Sequence, residues 1–430
     1  MKLYLLIAAF LLSHFTLAQK LDNSEYLAQL DTTNASLEHK PDDEKPLNKP
    51  NIIIGGYVEN YYSYNFNRPG NNITALRGFD FIHNSITLSN AVLSADVHYD
   101  NFIARIALNV GSTPAQFYEQ EPTTIPSYNL PSLNHSTFQY IQEALIGWHV
   151  KSLHGLTVQA GIMATPIGIE GLGNFQSWEE STNTKHMLPK DYRENWNWSR
   201  SNAFINVPDY HTGVRVLYSP DPINHFSFYL VNGANSVTDN NKWKTFAVSY
   251  LWIPNPKLQM SSLYMSGPER DPDFMGGAKS WRHLFDYWAR WEVTKNLSLM
   301  TQFTPGIEKT SFGNNFWTIN VLYASWKFNN DVRLAFRYEH LLEKASVESE
   351  SVFLRSLDKN NKAGLFGYTT TFSVPIVANH LLLRMEYRHD SSGLNWFYRG
   401  TLQPNNDPHQ PFTPNSKNQN TMTMGLVGWF

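Results

Sequence analysis

From residue 51 onward the chain alternates in twos. Val332, Leu334, Phe336 and Tyr338 share one parity, and Arg333, Arg337 and Glu339 share the other. Leu381, Leu383, Met385 and Tyr387 oppose Arg384, Glu386 and Arg388, and Phe285, Tyr287, Ala289 and Trp291 oppose Asp286, Arg290 and Glu292. Val214, Val216 and Tyr218 oppose His211 and Arg215, while Phe102, Ala104, Ile106 and Leu108 surround Arg105. Successive side chains of a strand point to opposite faces, so each stretch predicts a strand with one oily and one polar face. Stretches of this texture lie near 52–66, 84–99, 101–110, 138–151, 155–164, 209–219, 224–233, 243–252, 257–266, 281–293, 296–306, 315–328, 331–343, 364–375, 379–390 and 420–430. They predict about sixteen strands, within a range of fourteen to eighteen.

The connectors sort by length. Short ones rich in Asn, Asp and Pro lie at 98–101, 219–222, 254–256, 294–296 and 329–331, and such residues favour tight turns. Long ones occupy 111–137, 165–208, 267–280, 344–363 and 391–419. Short turns at one end and long loops at the other mark outer-membrane barrels, and a soluble sandwich has no reason to sort its loops this way. The polar faces carry Arg with Asp and Glu, whereas Lys sits mostly in turns and loops. The fold class expected is all-β: a single transmembrane antiparallel up-and-down β-barrel. Tyr57, Tyr61, Tyr62, Trp148, Tyr218, Trp252, Trp281, Trp326 and Tyr338 lie near predicted strand ends and suit interfacial aromatic girdles, with ordinary core aromatics as the alternative.

The two ends fit export and barrel closure. Lys2, the apolar run Leu3–Leu12 and the small residues around Thr16–Ala18 form a secretory signal peptide at 1–18. Residues 19–50 are polar and read as a disordered periplasmic leader. The barrel is expected over 51–430. At the other end, Thr421–Phe430 alternates Met422, Met424, Leu426 and Gly428 with Thr421, Thr423, Gly425, Val427 and Trp429, as a closing strand would.

Composition narrows the function. Cysteine is absent, which removes disulfides and cysteine-based metal or redox chemistry. The net charge of −3 implies no strong field for polyanions, so no nucleic-acid partner is expected. The 26 Phe, 22 Tyr and 13 Trp accompany only 17% charged residues, as strands oily on one face require. No nucleophile elbow, zinc-binding HExxH, phosphate loop or dinucleotide fingerprint occurs. Tyr338-Glu339-His340 and Arg388-His389-Asp390 put neighbouring ligands on opposite strand faces, so no metal or other cofactor is expected. An outer-membrane hydrolase would need a Ser–His pair on the lipid-facing wall. His283 and His389 have the right parity, but the sequence offers no clear serine partner.

Three regions carry a resemblance. They are Ile86–Asp96 with Arg105–Gly111, Gln159–Glu170 with Asn195–Ser201, and Tyr210–Arg215 with Asn232–Asn241. Together they resemble the OmpL-like family of outer-membrane β-barrel porins over essentially all of 51–430. The resemblance implies an outer-membrane channel of a Gram-negative bacterium, without catalytic activity and with no fixed substrate. It also makes the terminal Phe430 look like the signal read by the barrel assembly machinery.

Within this frame the inward charges are the candidate pore lining: Arg105, Arg215, Arg290, Arg333, Arg337, Arg384 and Arg388, with Asp96, Glu143, Asp286, Glu292, Glu339 and Glu386. An arginine-rich lining favours anions weakly, and structural pairing across strands competes with that role. The loop 171–208 is a candidate constriction, with Trp196 and Trp198 as anchors and Arg193 and Arg200 setting charge; a surface loop on the rim is the alternative. The reading is a porin passing small hydrophilic solutes or ions, in contact with outer-membrane lipid, with homo-oligomerisation left open. The alternatives are a plugged barrel acting as a binding or assembly partner, an outer-membrane hydrolase and a secreted glycan-binding β protein.

Overall fold

The computed structural model describes residues 49–119, 121, 133–153, 155–170, 195–239, 241–270, 280–328, 331–347, 352, 357–401 and 412–430. The signal segment, the leader up to residue 48 and Arg193 lie outside the described residues.

A strand with one oily face cannot stand alone in lipid, because its backbone N–H and C=O groups must be paired on both edges. Sixteen strands solve this together. The first half comprises β1 (Asn51–Asn65), β2 (Ile86–Tyr99), β3 (Phe102–Val110), β4 (Ile141–Val150), β5 (Leu156–Ala164), β6 (Tyr210–Tyr218), β7 (Asn224–Val231) and β8 (Thr245–Asn255). The second comprises β9 (Leu258–Pro268), β10 (Trp281–Glu292), β11 (Leu297–Thr310), β12 (Gly313–Lys327), β13 (Arg333–Lys344), β14 (Lys362–Val377), β15 (Leu381–Ser392) and β16 (Asn418–Trp429). Each pairs with its sequence neighbour, and β16 returns to β1 to close the barrel. The sixteen strands match the sixteen alternating stretches one to one.

The closing seam runs antiparallel from Tyr57 opposite Trp429 to Asn65 opposite Thr421. Past it, Phe430 N–H donates to Gly56 O at 3.1 Å and Gly56 N–H to Phe430 O at 3.3 Å. The Phe430 ring is 63% exposed on the outer face and lies over Gly56. A Cβ at Gly56 would meet that ring at 2.9 Å and Val92 O at 2.5 Å, so the seam depends on a glycine there.

Parity decides face throughout. Leu334, Phe336 and Tyr338 are exposed outward while Ala335, Arg337 and Glu339 are buried inward, and β15 and β16 repeat the pattern. Two of the proposed girdle aromatics are corrected here. Tyr57 and Tyr61 fall on the inward parity of β1 and are buried in an inner-wall cluster with Trp198, Val427 and Trp429. Trp148, Tyr218, Trp326 and Tyr338 do face outward.

The connectors at one end are short: 100–101, 151–155, 219–223, 256–257, 293–296, 328–332 and 378–380. At the other end they are long, except 311–312 between β11 and β12. Among the described residues, three short helices lie in the long connectors: α1 (Ser112–Phe117), α2 (His135–Phe138) and α3 (Asn202–Ile205). Among the described residues no helix is long and apolar enough to cross a membrane.

Candidate functional site

A barrel of this strand number leaves a lumen wider than its inner side chains fill. Here the connector between β5 and β6 enters that space. Its first arm, 165–170, runs against β10 and β11. Asp286 accepts from Gly168 N–H at 2.9 Å, from Gln302 at 2.9 Å and from Thr304 at 2.6 Å. Ile169 N–H donates to Gln302 Oε1 at 3.3 Å. Its second arm, 195–209, crosses to β12–β16 and ends in α3. Ser201 caps that helix by accepting from Phe204 N–H at 3.1 Å.

The second arm has no strand partner, so its backbone groups must be satisfied by side chains. Carboxylates of the wall and of the first arm take its donors. Glu386 accepts from Trp198 N–H at 2.6 Å and Ser199 N–H at 3.0 Å, Glu170 accepts from Ser201 N–H at 2.8 Å, and Glu339 accepts from Asn202 N–H. Arginines take its acceptors. Arg384 donates to Asn197 O at 2.6 Å, Arg337 to Ser199 O at 2.6 Å and Arg388 to Arg200 O at 2.6 Å. These cations are also paired, Arg337 with Glu339 and Glu170, and Arg388 with Asp390 and Glu339. Burying a charge is costly without such partners.

Aromatic packing completes the attachment. Trp196 is fully buried, edge-on to Tyr323 at 6.4 Å, with the Arg333 guanidinium 5.5 Å above its ring. Trp198 packs beside Tyr61 and directly over Gly425, where an added Cβ would lie 2.2 Å from the indole. Arg200 stacks on Phe204 at 5.0 Å and Phe79 at 5.8 Å.

Against this geometry, residues 51–182 and 191–430 match the model of the family described as "Putative beta-barrel porin-2, OmpL-like". The chain belongs to this family. It is an all-β outer-membrane barrel of porin type. No curated protein sequence matches it. Among solved structures, it is similar to an anion-selective porin from Comamonas acidovorans, at 10% identity and TM-score 0.54 over 89% of this chain and 100% of that one. It is also similar to OmpT of Vibrio cholerae in its trimer form, at 8% identity and TM-score 0.53 over 89% of this chain and 99% of that one. The outer-membrane channel DcaP of Acinetobacter baumannii aligns at 11% identity and TM-score 0.51 over 90% of this chain and 99% of that one. At such identities the likeness is one of fold.

For the remaining wall charges of this OmpL-like barrel, the described partners lie on the wall itself. Arg105 bridges Asp96 at 2.7 Å and Glu143 at 2.6 Å across β2, β3 and β4, its side chain 24% exposed. Arg215 donates to its cross-strand neighbour Gln159 at 2.6 Å. Arg290 lies 3.6 Å from Glu292. Above the inserted segment, at the long-loop end, opens a cavity of about 1150 Å³. Arg77, Phe79, Phe204, Asp209, Arg282 and Trp396 are among its lining residues.

Several residues of the site were not among the sequence candidates. Glu170 joins Arg337, Ser201 and Tyr323. Arg77 reaches from the β1–β2 loop to Thr421 at 2.5 Å and lies 3.4 Å from both Asp80 and Asp390. Arg270 and Arg282 share Glu308. Parity was the available signal for Asp390, Arg282 and Glu308, since each sits at an inward strand position. No strand pattern covers Arg77 or Glu170.

The outer wall supplies the serine that the sequence did not: Ser266 Oγ lies 3.0 Å from His283 Nδ1. It is 2% exposed and donates to Arg282 O at 3.0 Å, and Tyr264 OH lies 2.8 Å from the same Nδ1. A hydroxyl spent on a backbone carbonyl and shut off from solvent is not placed to attack a substrate.

Proposed function

We propose that this chain is an outer-membrane channel for passive diffusion of small hydrophilic solutes or ions, narrowed at mid-height by the β5–β6 connector. The carrying observation is the docking of 165–170 and 195–205 inside the barrel through backbone groups held by Asp286, Glu386, Glu339, Arg337 and Arg388. Trp196 and Trp198 act as anchors, Arg200 contributes charge at the constriction, and Arg193 is assigned the same role from its place in the loop. Arg105, Arg215, Arg290, Arg333 and Arg384 line the wall with Asp96, Glu143 and Glu292. Their pairing supports only a weak anion preference, because each cation already faces a carboxylate, an amide, a carbonyl or a ring.

Export by the 1–18 signal and recognition of Phe430 by the assembly machinery complete the reading. The trimer form of the Vibrio OmpT structure supports a homo-oligomer. A second reading, a filled barrel serving as a binding or assembly partner, is favoured by the complete burial of Trp196, Arg337 and Arg388 beside the inserted segment.

Single-channel conductance in a planar bilayer under a KCl gradient tests both. Steady ohmic steps that grow when 177–192 is deleted are expected, with a reversal potential slightly on the anion side. Silence from folded wild-type protein would transfer the assignment to the filled barrel. An unchanged conductance after deletion would remove the constriction role.

A further inference from the structure

The outward face of β11–β14 ends in three lysines. Lys309, Lys344 and Lys362 are exposed, and each is at or next to the last residue of its strand at the long-loop end. Lys344 and Lys362 are direct cross-strand partners. Like charges placed opposite one another on a sheet destabilise it, so this pairing calls for a counter-charge. The outward positions of these four strands carry no Asp or Glu. Among the described residues, none of the three lysines has a carboxylate within ion-pair distance. Asp358 lies near Lys362 beyond ion-pair distance, its Oδ1 accepting from the backbone N–H groups of Asn360 and Lys362, so it offsets only part of the charge of the three lysines. Lys244, next to β8, is by contrast held by Asp239.

Height along the barrel identifies the counter-charge. Outward residues of β13 rise from Leu334, paired with Trp326 at the short-turn end, to Lys344. Ten steps of ~3.4 Å on a strand tilted about 40° climb about 26 Å along the membrane normal, against ~25 Å for the apolar band of outer-membrane barrels. The ammonium groups therefore emerge where hydrocarbon gives way to headgroups. Phe316, Leu342 and Phe366 lie beside and below them on the same face.

We propose that Lys309, Lys344 and Lys362 form a binding site on the lipid-facing surface for the anionic phosphate of a membrane-lipid headgroup, with the lipid's chains on the apolar strip below. Lipid is favoured over a second copy of the chain because a cationic patch repels its own kind, and over free phosphate because the site continues into exposed apolar wall.

The test is native mass spectrometry of the full-length barrel from neutral detergent, titrated separately with phosphatidylglycerol, phosphatidylcholine and inorganic phosphate. Wild type is expected to retain phosphatidylglycerol over phosphatidylcholine, with retention lost in high salt. Each Lys→Ser change should weaken retention about fivefold, as one surface lysine contributes near a membrane. Lys344→Arg should preserve it, and Lys257→Ser with Lys295→Ser at the short-turn end should leave it unchanged. Heat-modifiable gel migration confirms that each variant is folded. Equal retention by wild type and the triple variant, saturation by inorganic phosphate alone, or a change in oligomeric mass in place of lipid retention would each overturn the proposal.

Discussion

Two arginine clusters on the inner wall are written alike in the sequence and built differently. Arg105 sits among Asp96 and Glu143 on neighbouring strands, partly open to the lumen, and its ion pairs are both to the wall. Arg337 and Arg388 also have wall carboxylates, but they give further donors to Ser199 O and Arg200 O of the inserted segment. Their side chains are 0% and 1% exposed. The first cluster stiffens three strands. The second fastens a segment that has no strand of its own. Carboxylates serve both clusters, and what separates them is the added acceptor in the second, an orphan backbone carbonyl.

The comparison breaks most sharply at Arg337. Arg337→Met leaves Glu339 and Glu170 buried without that cation, and removing one partner of a buried pair costs about 3–5 kcal/mol. Arg105→Met also leaves Glu143 nearly buried, but Asp96 stays partly open to the lumen, so a smaller loss than at Arg337 is expected, and it falls on the wall rather than on the segment. Limited proteolysis read by mass spectrometry checks both. Cleavage within 195–205 should appear in Arg337→Met, with barrel circular dichroism retained, and should be absent in Arg105→Met. Equal resistance in both would show that the wall, not the arginine, holds the segment.

The second prediction attacks the same attachment without touching charge. Gly425 of β16 lies under the Trp198 indole, and a methyl there would sit 2.2 Å from the ring. Gly425→Ala forces the indole away, at a cost of about 1–3 kcal/mol for overpacking. Tryptophan fluorescence should shift to the red as Trp198 meets water. Gly428→Ala, which has Leu381 at 3.5 Å and faces outward, should leave the spectrum unchanged. A red shift in both would assign the effect to the seam.

The strands were legible because an oily outer face and a polar inner face impose a period of two, and lipid makes that period strict. Faces followed from parity, which is why Arg337 and Leu334 were separable by inspection. Tyr57 and Tyr61 were misplaced where position near a strand end was weighed above parity. The inserted segment was legible only in its residue types. Trp196, Trp198 and Arg200 stood out, but their partners at Glu386, Glu339 and Arg388 lie more than a hundred residues away in the chain. A loop that docks through its backbone leaves no periodic trace, because any residue supplies a carbonyl. Glu170 and Arg77, both in connectors, were invisible for the same reason.

The smallest effect expected is a pH dependence at the exit of the segment. Asp209 N–H donates to Asn235 Oδ1 at 2.7 Å and its carbonyl accepts from Thr165 N–H at 3.0 Å, so this residue ties both ends of the connector. Burial pushes its carboxyl up to about 8, and the nearby Arg200 only partly opposes that. A carboxyl with a folded pKa above its unfolded value binds its proton more tightly in the folded state. Its contribution is therefore complete below about pH 4 and is lost as pH rises toward 8, the reverse of an ordinary salt-bridged aspartate. Wild type should resist proteolysis within 195–209 better at pH 5 than at pH 9, and Asp209→Asn, which cannot ionise, should lose that difference. Arg105→Met leaves the Asp209 carboxyl itself in place, so it should keep a difference between the two pH values. If Asp209→Asn retained the full pH dependence, the titrating group would lie elsewhere, and the exit would be held by Asn235 and Thr165 alone.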